Sequence, residues 1–280
     1  MVAPRQARPY VAFMHAAEPL GHFVEDYLGY LYEVCPTNAT LDGVHLHDDL
    51  LEDFRKGAIE RHLGTLAGFA RRLAAIPTEL LPLHEQVDHG IVAANLRARM
   101  FELEEVRTWE RSPHFYGEVL ASSLATQAIF AYAPEAERAR RVLSKLRQVP
   151  RLIQAARENI KDAPAIYVKV GLDTWRGIKS FIDVDLPRAF SGVDDLHLLA
   201  DLADASAEAD QAVGAYLDYL DTDLRPRAKG SFRLGTERFE QKLRLEEGIT
   251  LPVDRLLAIA MRELRATQDW QLRYALAKAE

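Results

Sequence analysis

Two histidines and two acids crowd together at His45-Leu46-His47-Asp48-Asp49. An HxH pair in extended chain turns both imidazoles to one side, the geometry that metal-dependent amidohydrolases use to hold a metal. That chemistry takes further His, Lys and Asp ligands from later barrel strands, and the sequence offers no such strands. The same loop could line a substrate cleft, or it could be a connector whose Asp48 and Asp49 accept backbone N–H groups. It belongs to Cys35–Phe54, the one stretch where turn formers, histidines and acids gather without helical spacing. Polar, ionisable residues on a loop between helices are where binding sites are usually built.

A second pair, His84 and His89, imitates a zinc helix in His84-Glu85-Gln86-Val87-Asp88-His89. The HExxH motif works because its histidines stand four residues apart on one helix face. Here the spacing is five, which at ~100° per residue sets the rings roughly 140° apart. One metal cannot bridge them. No GxSxG elbow, Walker loop or dinucleotide-binding turn is present. Cys35 is the only cysteine, which excludes an internal disulfide and a cysteine-rich zinc site. Between Val34 and Pro36 it reads as a buried structural thiol. Trp109 and Tyr116, with Phe115, form an aromatic knot around Arg111-Ser112-Pro113, and Arg233 in a glycine-punctuated loop could clamp a carboxylate. The cleft candidates are therefore His45, His47, Asp48, Asp49, Trp109, Tyr116 and Arg233, with no catalytic residue and no metal ligand assigned.

The elements around these residues read as helices. Ile59, Leu63, Leu66, Ala70 and Leu73 form one apolar stripe, and Val87, Ile91, Ala94, Ala98 and Phe101 a second. A third runs through Ala165, Val168, Leu172, Trp175, Ile182 and Leu186. A fourth joins Leu196, Leu199, Ala203, Val213, Leu217 and Leu220. Ser112-Pro113 and Ala133-Pro134-Glu135 look like helix starts, Asp194 or Asp195 can cap the acidic helix, and Thr250 the last one. Pro77, Pro82 and Pro150 break the helical stretches. Ile166–Val170 is β-branched, but its stripe favours helix. The expectation is an all-α fold, a multi-helix array of long antiparallel helices with no substantial sheet. Residues 1–280 form a single helical region with a sub-boundary near 190–195.

A net charge of -7 with 28% charged residues speaks against a nucleic-acid partner, and no apolar run reaches membrane-spanning length. MVAPRQARPYVAF lacks the apolar region of a signal peptide, so the expected location is cytoplasmic. From Pro252 the chain is helix-forming to its last residue, with no glycine stop, and reads as cut there.

These landmarks, in this order, resemble the bacterial family DUF885, helical proteins with a zincin-like, metal-dependent hydrolase design. The matching pieces are Asn38-Ala39-Thr40 followed by Gly43-x-His45-x-x-Asp48, the Trp109-x-x-Ser112-Pro113 corner, and Arg227-Ala228-x-Gly230-x-Phe232-Arg233-Leu234-Gly235 followed by Phe239 and Leu243. The resemblance implies a longer, carboxypeptidase-like protein whose zinc sits on an HExxPGH-type helix, a motif this sequence lacks. Residues 1–280 would then be its N-terminal helical half, one wall of a cleft for a peptide or small-molecule substrate, binding no cofactor and inactive alone. The alternatives are a self-sufficient helical ligand-binding or interaction module using the His45–Asp49 loop, and a metal enzyme using His45 and His47 directly. A half whose apolar faces expect a partner leaves an exposed patch. Residues 1–280 are expected to self-associate or to bind the dye ANS, and a monodisperse monomer without dye binding in light scattering and fluorescence would count against this reading.

Overall fold

The computed structural model describes residues 19–279, so the N-terminal residues read above for a signal peptide lie outside it. Every regular element among the described residues is helical. The backbone divides into two units, up to Phe232 and from Arg233 onward.

The first unit begins with α1 (Leu20–Val34) and the short α2 (Pro36–Leu41), followed by an irregular segment that runs to Arg55. Next come α3 (Lys56–Ala74) and α4 (Leu83–Phe101), and a widened helical turn carries α4 on through Glu102–Val106. After α5 (Thr108–Arg111) follow α6 (Pro113–Ile129), α7 (Glu135–Leu146) and α8 (Val149–Asn159). Ala165–Ser180 forms α9, continued by a widened turn into α10 (Leu186–Ala189). The longest helix of this unit, α11 (Leu196–Tyr219), passes through another widened turn into α12 (Arg225–Arg227).

Local chemistry accounts for several boundaries. Ser112 Oγ accepts the Phe115 N–H at 3.4 Å with Pro113 in the first turn of α6, and Asp195 Oδ1 accepts the Leu198 N–H at 3.1 Å to start α11. Pro77 and Pro82 fall in the break between α3 and α4, and Pro150 lies in the first turn of α8. Gly43 (φ 83°) takes the left-handed conformation that ends α2, its N–H on the Thr40 carbonyl at 3.1 Å.

Two apolar cores hold this unit together. The smaller joins α1, α3 and α4 through Phe23, Tyr27, Leu66, Phe69 and Leu96, with Phe69 edge-on to Phe23 and Tyr27 at 5.8 and 5.3 Å. The larger joins α6 to α11 around Tyr116, Leu146, Trp175 and Tyr216. Phe190 and Val193, in the turn before α11, are buried in that larger core, and the Gly192 N–H bonds Glu135 there at 2.9 Å.

The expected α9 stripe faces the larger core from Val168 on, with Ala165 exposed, and the α3 stripe enters the smaller core at Leu66 and Leu73. The α4 and α11 stripes depart from the buried face over their first turns. On α4, Val87 and Ile91 are 56% and 62% exposed; Leu96 and Phe101 are buried, with Val92, Ala93 and Met100 packed beside them. On α11, Leu196 is 77% exposed and Ala203 faces solvent, but Val213 and Leu220 are buried and Leu199 and Leu217 pack against the larger core as expected, beside Leu198, Leu202, Ala205 and Ala209. Both helices carry apolar residues on adjacent faces, so spacing alone could not select the buried one.

The second unit comprises α13 (Thr236–Glu246) and α14 (Val253–Ala279). Thr250 does not cap α14. The helix starts after Pro252, and Glu240 of α13 accepts the Val253 N–H at 3.0 Å in its place. Along α14, Leu257, Leu264, Trp270 and Leu272 are each about half exposed or more.

Helices α6 and α9 meet at their glycines. A Cβ on Gly171 would come 2.9 Å from Pro113 Cβ, and one on Gly117 would come 2.9 Å from Thr174 Cγ2. Gly177, on the same helix as Gly171, has open space. Gly171→Val is therefore expected to lower unfolding free energy by about 1–3 kcal/mol in chemical denaturation, while Gly177→Ala leaves it unchanged or raises it by up to about 1 kcal/mol.

Candidate functional site

The segment after α2 has no ladder to satisfy its backbone, so side chains do it. Val44 N–H bonds the Ala39 carbonyl at 2.8 Å and Leu50 N–H bonds the His47 carbonyl at 3.0 Å, which folds residues 44–50 into consecutive turns. Residues 49–54 then run across the helices as a strap. Gln148 accepts the Leu51 N–H at 3.1 Å and donates to the Asp49 carbonyl at 2.8 Å. Arg151 donates to the Leu51 carbonyl at 3.1 Å and Asn159 to the Phe54 carbonyl at 2.6 Å. Leu51 enters the larger core, and Phe54 packs edge-on to Phe115 and Tyr116 at 5.0 and 5.2 Å.

Asp48 is the centre of this loop and is 2% exposed. Its carboxylate accepts from Thr40 Oγ1 at 2.5 Å, His45 Nδ1 at 3.0 Å, Tyr132 Oη at 2.6 Å and Arg141 Nη1 at 2.5 Å. A carboxylate only accepts, so His45 carries its proton on Nδ1. The imidazole lies flat on the Tyr132 ring, centroids 3.8 Å apart and planes 4° from parallel, and the Arg141 guanidinium sits over the same ring at 5.4 Å. Tyr132 has one proton for two acceptors, Asp48 and Gln127 Oε1. Turning the Gln127 amide over resolves this. Its nitrogen, otherwise buried without a partner, then donates to the phenol oxygen while the phenol proton stays with Asp48.

Burial works against the Asp48 charge, but Thr40, Tyr132, His45 and Arg141 more than offset it and hold the carboxyl below the usual range. Burial, with the Asp48 charge, pushes Tyr132 up to about 12. One turn along the strap, Glu52 accepts the Thr37 N–H at 3.0 Å and the Thr37 hydroxyl at 2.9 Å. Burial pushes Glu52 upward despite these bonds. Beneath both acids lies Lys145, with no exposed surface and its Nζ on the Ser123 carbonyl at 3.2 Å. Burial lowers Lys145 to about 8, against the fields of Glu52, Asp48 and Asp49. Arg138 completes the seam by donating to the Gln127 and Ala128 carbonyls at the end of α6, at 2.5 and 3.4 Å.

Of the seven cleft candidates, His45 and Asp48 are brought together. The donors to Asp48 are side chains, where backbone N–H groups were expected. His47 is half-buried and makes no side-chain hydrogen bond among the described residues, and Asp49 is exposed and is held through its carbonyl. Trp109 is 7% exposed and donates to the Leu103 carbonyl at 3.1 Å. Tyr116, fully buried, donates to the Trp109 carbonyl at 2.5 Å and accepts from Asn159 at 3.1 Å. Arg233 is exposed and belongs to the second unit. Among the described residues, no three His, Cys, Asp or Glu side chains converge as metal ligands, so the zinc that the family resemblance implies finds no matching donor set here.

Glu52, Tyr132, Arg138, Arg141 and Lys145 were not anticipated. One signal was available. Arg138, Arg141 and Lys145 recur at three and four residues on α7 beside the apolar Ala139, Val142 and Leu146, a basic row on a buried face. Such a row calls for acids, and the structure supplies Asp48 to Arg141 and the fields of Glu52 and Asp48 to Lys145.

An all-helical array with a sealed acidic loop across three of its helices defines the class of protein. The chain belongs to DUF885, described as "Bacterial protein of unknown function", which it matches over residues 36–277. It is similar in fold to a Shewanella oneidensis protein described as a "putative lipoprotein of unknown function", with a TM-score of 0.79 and 23% identity. That likeness covers 90% of this chain and 47% of the other, so the chain spans about half the length of that neighbour. Among curated proteins there is no match. No helix among the described residues is long and apolar enough to cross a membrane.

Asp48→Asn removes the buried charge that Thr40, His45, Tyr132 and Arg141 converge on, leaving Arg141 only Glu137 as counter-charge, and is expected to cost about 3 kcal/mol of stability in urea unfolding at neutral pH. Because the folded-state pKa of Asp48 is depressed, its contribution is present above the ordinary carboxyl value of about 4 and is lost as pH falls through the folded value. The Asn variant should therefore converge with the parent in acid. Lys145 gives the opposite window. Between about 8, its folded value, and roughly 10.4 in the unfolded chain, the unfolded state binds more protons and native stability rises with pH. Relative to Lys145→Met, the parent should gain about 3 kcal/mol across that window; parallel pH profiles would refute a buried, neutralised lysine.

Proposed function

We propose that this chain is the N-terminal helical scaffold of a DUF885 zinc-dependent peptidase or hydrolase, inactive by itself, with the metal and its HExxPGH helix supplied by sequence outside residues 1–280. The observation that carries this reading is the asymmetric match, 90% of this chain against 47% of its structural neighbour. Family membership over residues 36–277 supports it. In this reading the Asp48 lock is architectural. It holds the strap across α6, α7 and α8 and fixes one wall against which a catalytic part would close. The apolar residues exposed on α14, Leu257, Leu264, Trp270 and Leu272, are the surface through which that part, or a second copy, would pack.

A self-sufficient module acting through the His45–Asp49 loop is less well supported, because four donors already occupy Asp48. A metal enzyme using His45 and His47 would have to ligate through His45 Nε2, since Nδ1–H is on Asp48, and no third His, Cys, Asp or Glu converges with the pair among the described residues.

The test compares residues 1–280 with the same chain extended in frame beyond Glu280. The extended protein is expected to hold one zinc by metal analysis and to hydrolyse peptides in a chelator-sensitive way, and the shorter chain to do neither. Stoichiometric zinc or peptidase activity in residues 1–280 alone would defeat the proposal, and so would a stop codon directly after Glu280.

A further inference from the structure

A groove of about 290 Å³ opens between α1, α2 and α4, away from the Asp48 loop. Its walls are apolar, built by Val24, Leu28 and Leu31 of α1 and Ile91 and Val92 of α4. Leu28 and Ile91, at its lip, are 40% and 62% exposed. The outward turn of α4 that leaves Ile91 in solvent thus places it beside a cavity.

The polar side of the groove holds one basic group, Arg99. Its Nε donates to Asn95 Oδ1 at 3.0 Å, and Tyr27 Oη donates to the same oxygen at 2.7 Å. Burial pushes Tyr27 up to about 12, so it remains a neutral donor. Nε is engaged and the guanidinium also lies against the Tyr27 hydroxyl and the Cys35 thiol, and the rest of its five N–H bonds remain for a ligand. Arg99 forms no ion pair among the described residues; Asp42, the acid of the groove, follows α2 without reaching it. Its field is felt nearby, since burial, reinforced by the Arg99 charge, holds His62 down to about 4. An uncompensated guanidinium beside an apolar trough calls for a ligand with one anionic end and an apolar body. A second anionic group would meet Asp42. At about 30 Å³ per water-sized unit the groove takes on the order of ten non-hydrogen atoms.

We propose that the α1–α2–α4 groove binds a free monocarboxylate of medium length, its carboxylate bidentate on Arg99 and its tail between Leu28, Leu31 and Ile91. Octanoate fits this description in charge and size. The site is independent of the hydrolase reading, because none of its residues belongs to the Asp48 network and no metal is involved.

Cys35 lines the same groove and is the only thiol in the chain, so it reports occupancy. Burial raises its pKa, and alkylation by the neutral reagent iodoacetamide is best followed at mildly alkaline pH. With residues 1–280, octanoate below its micelle concentration is expected to slow Cys35 alkylation saturably and to give a saturable heat in titration calorimetry. The uncharged 1-octanol at equal concentration should do neither. Arg99→Gln should weaken octanoate binding roughly tenfold or more. Ile91→Glu, a change at an exposed helix position that leaves the fold intact by circular dichroism, should abolish it. No saturable heat with octanoate overturns the proposal. Equal binding by 1-octanol, or by either variant, overturns it as well.

Discussion

The first unit depends on the Asp48 carboxylate and its four donors. Taking a carboxylate out of water costs several kcal/mol unless its lone pairs are satisfied and its charge is balanced. Here the donors come from α2, from the turn that follows it, from the segment between α6 and α7, and from α7 itself. None of these segments alone provides a low-energy place for the acid. Once they meet, each constrains the others, because Tyr132 must present both its ring to His45 and its hydroxyl to Asp48. Lys145 lies beneath, and Glu52 ties the next turn of the strap to the start of α2. A loop whose composition suggests mobility is held at both edges of a charged seam.

That arrangement explains why the region imitates an active site. Histidine, tyrosine, lysine and acids lie together, several with displaced pKa values, and such clusters often mark catalysis. In Glu52 and Lys145 the displacement is led by burial and runs toward neutrality. Both side chains are closed off from solvent, at 7% and 0% exposure. A general acid or base must reach a proton on its substrate, and these groups reach only the protein. Structural networks move pKa values as well as catalytic ones do, and access separates the two.

Much of the fold was legible in the sequence because it is local. The Ser112-Pro113 and Asp195 starts, the prolines between helices and the helical reading of Ile166–Val170 each follow from a few neighbouring residues. The orientation of the first turns of α4 was not legible, since Val87 and Ile91 are as apolar as the residues buried in their place. Only the neighbours of α4, brought in from α1 and α3, decide which face is covered. The site failed to show for the same reason. Tyr132 and Arg141 stand 84 and 93 positions from Asp48, and no spacing rule joins them. What could be read was half of the seam, the basic row on α7, and half of the loop, its acids.

Asp48 and Arg99 divide the labour between structure and recognition. Asp48 has spent its capacity on the protein; Arg99 bonds Asn95 and touches Tyr27 and Cys35, but forms no ion pair among the described residues. Recognition needs unspent bonds, so it moves from the acidic loop to the α1–α2–α4 groove. The two places share α2. Thr37 and Thr40 of this six-residue helix face Glu52 and Asp48, while Asn38 and the preceding Cys35 line the groove. Helix α2 is too short to hold itself in place by its own hydrogen bonds. The threonine–carboxylate bonds pin it from one side, and the groove wall on the other side inherits that rigidity. A wall fixed before the ligand arrives spares the ordering cost that binding would otherwise bear. The sealed loop therefore contributes to recognition without touching what is recognised.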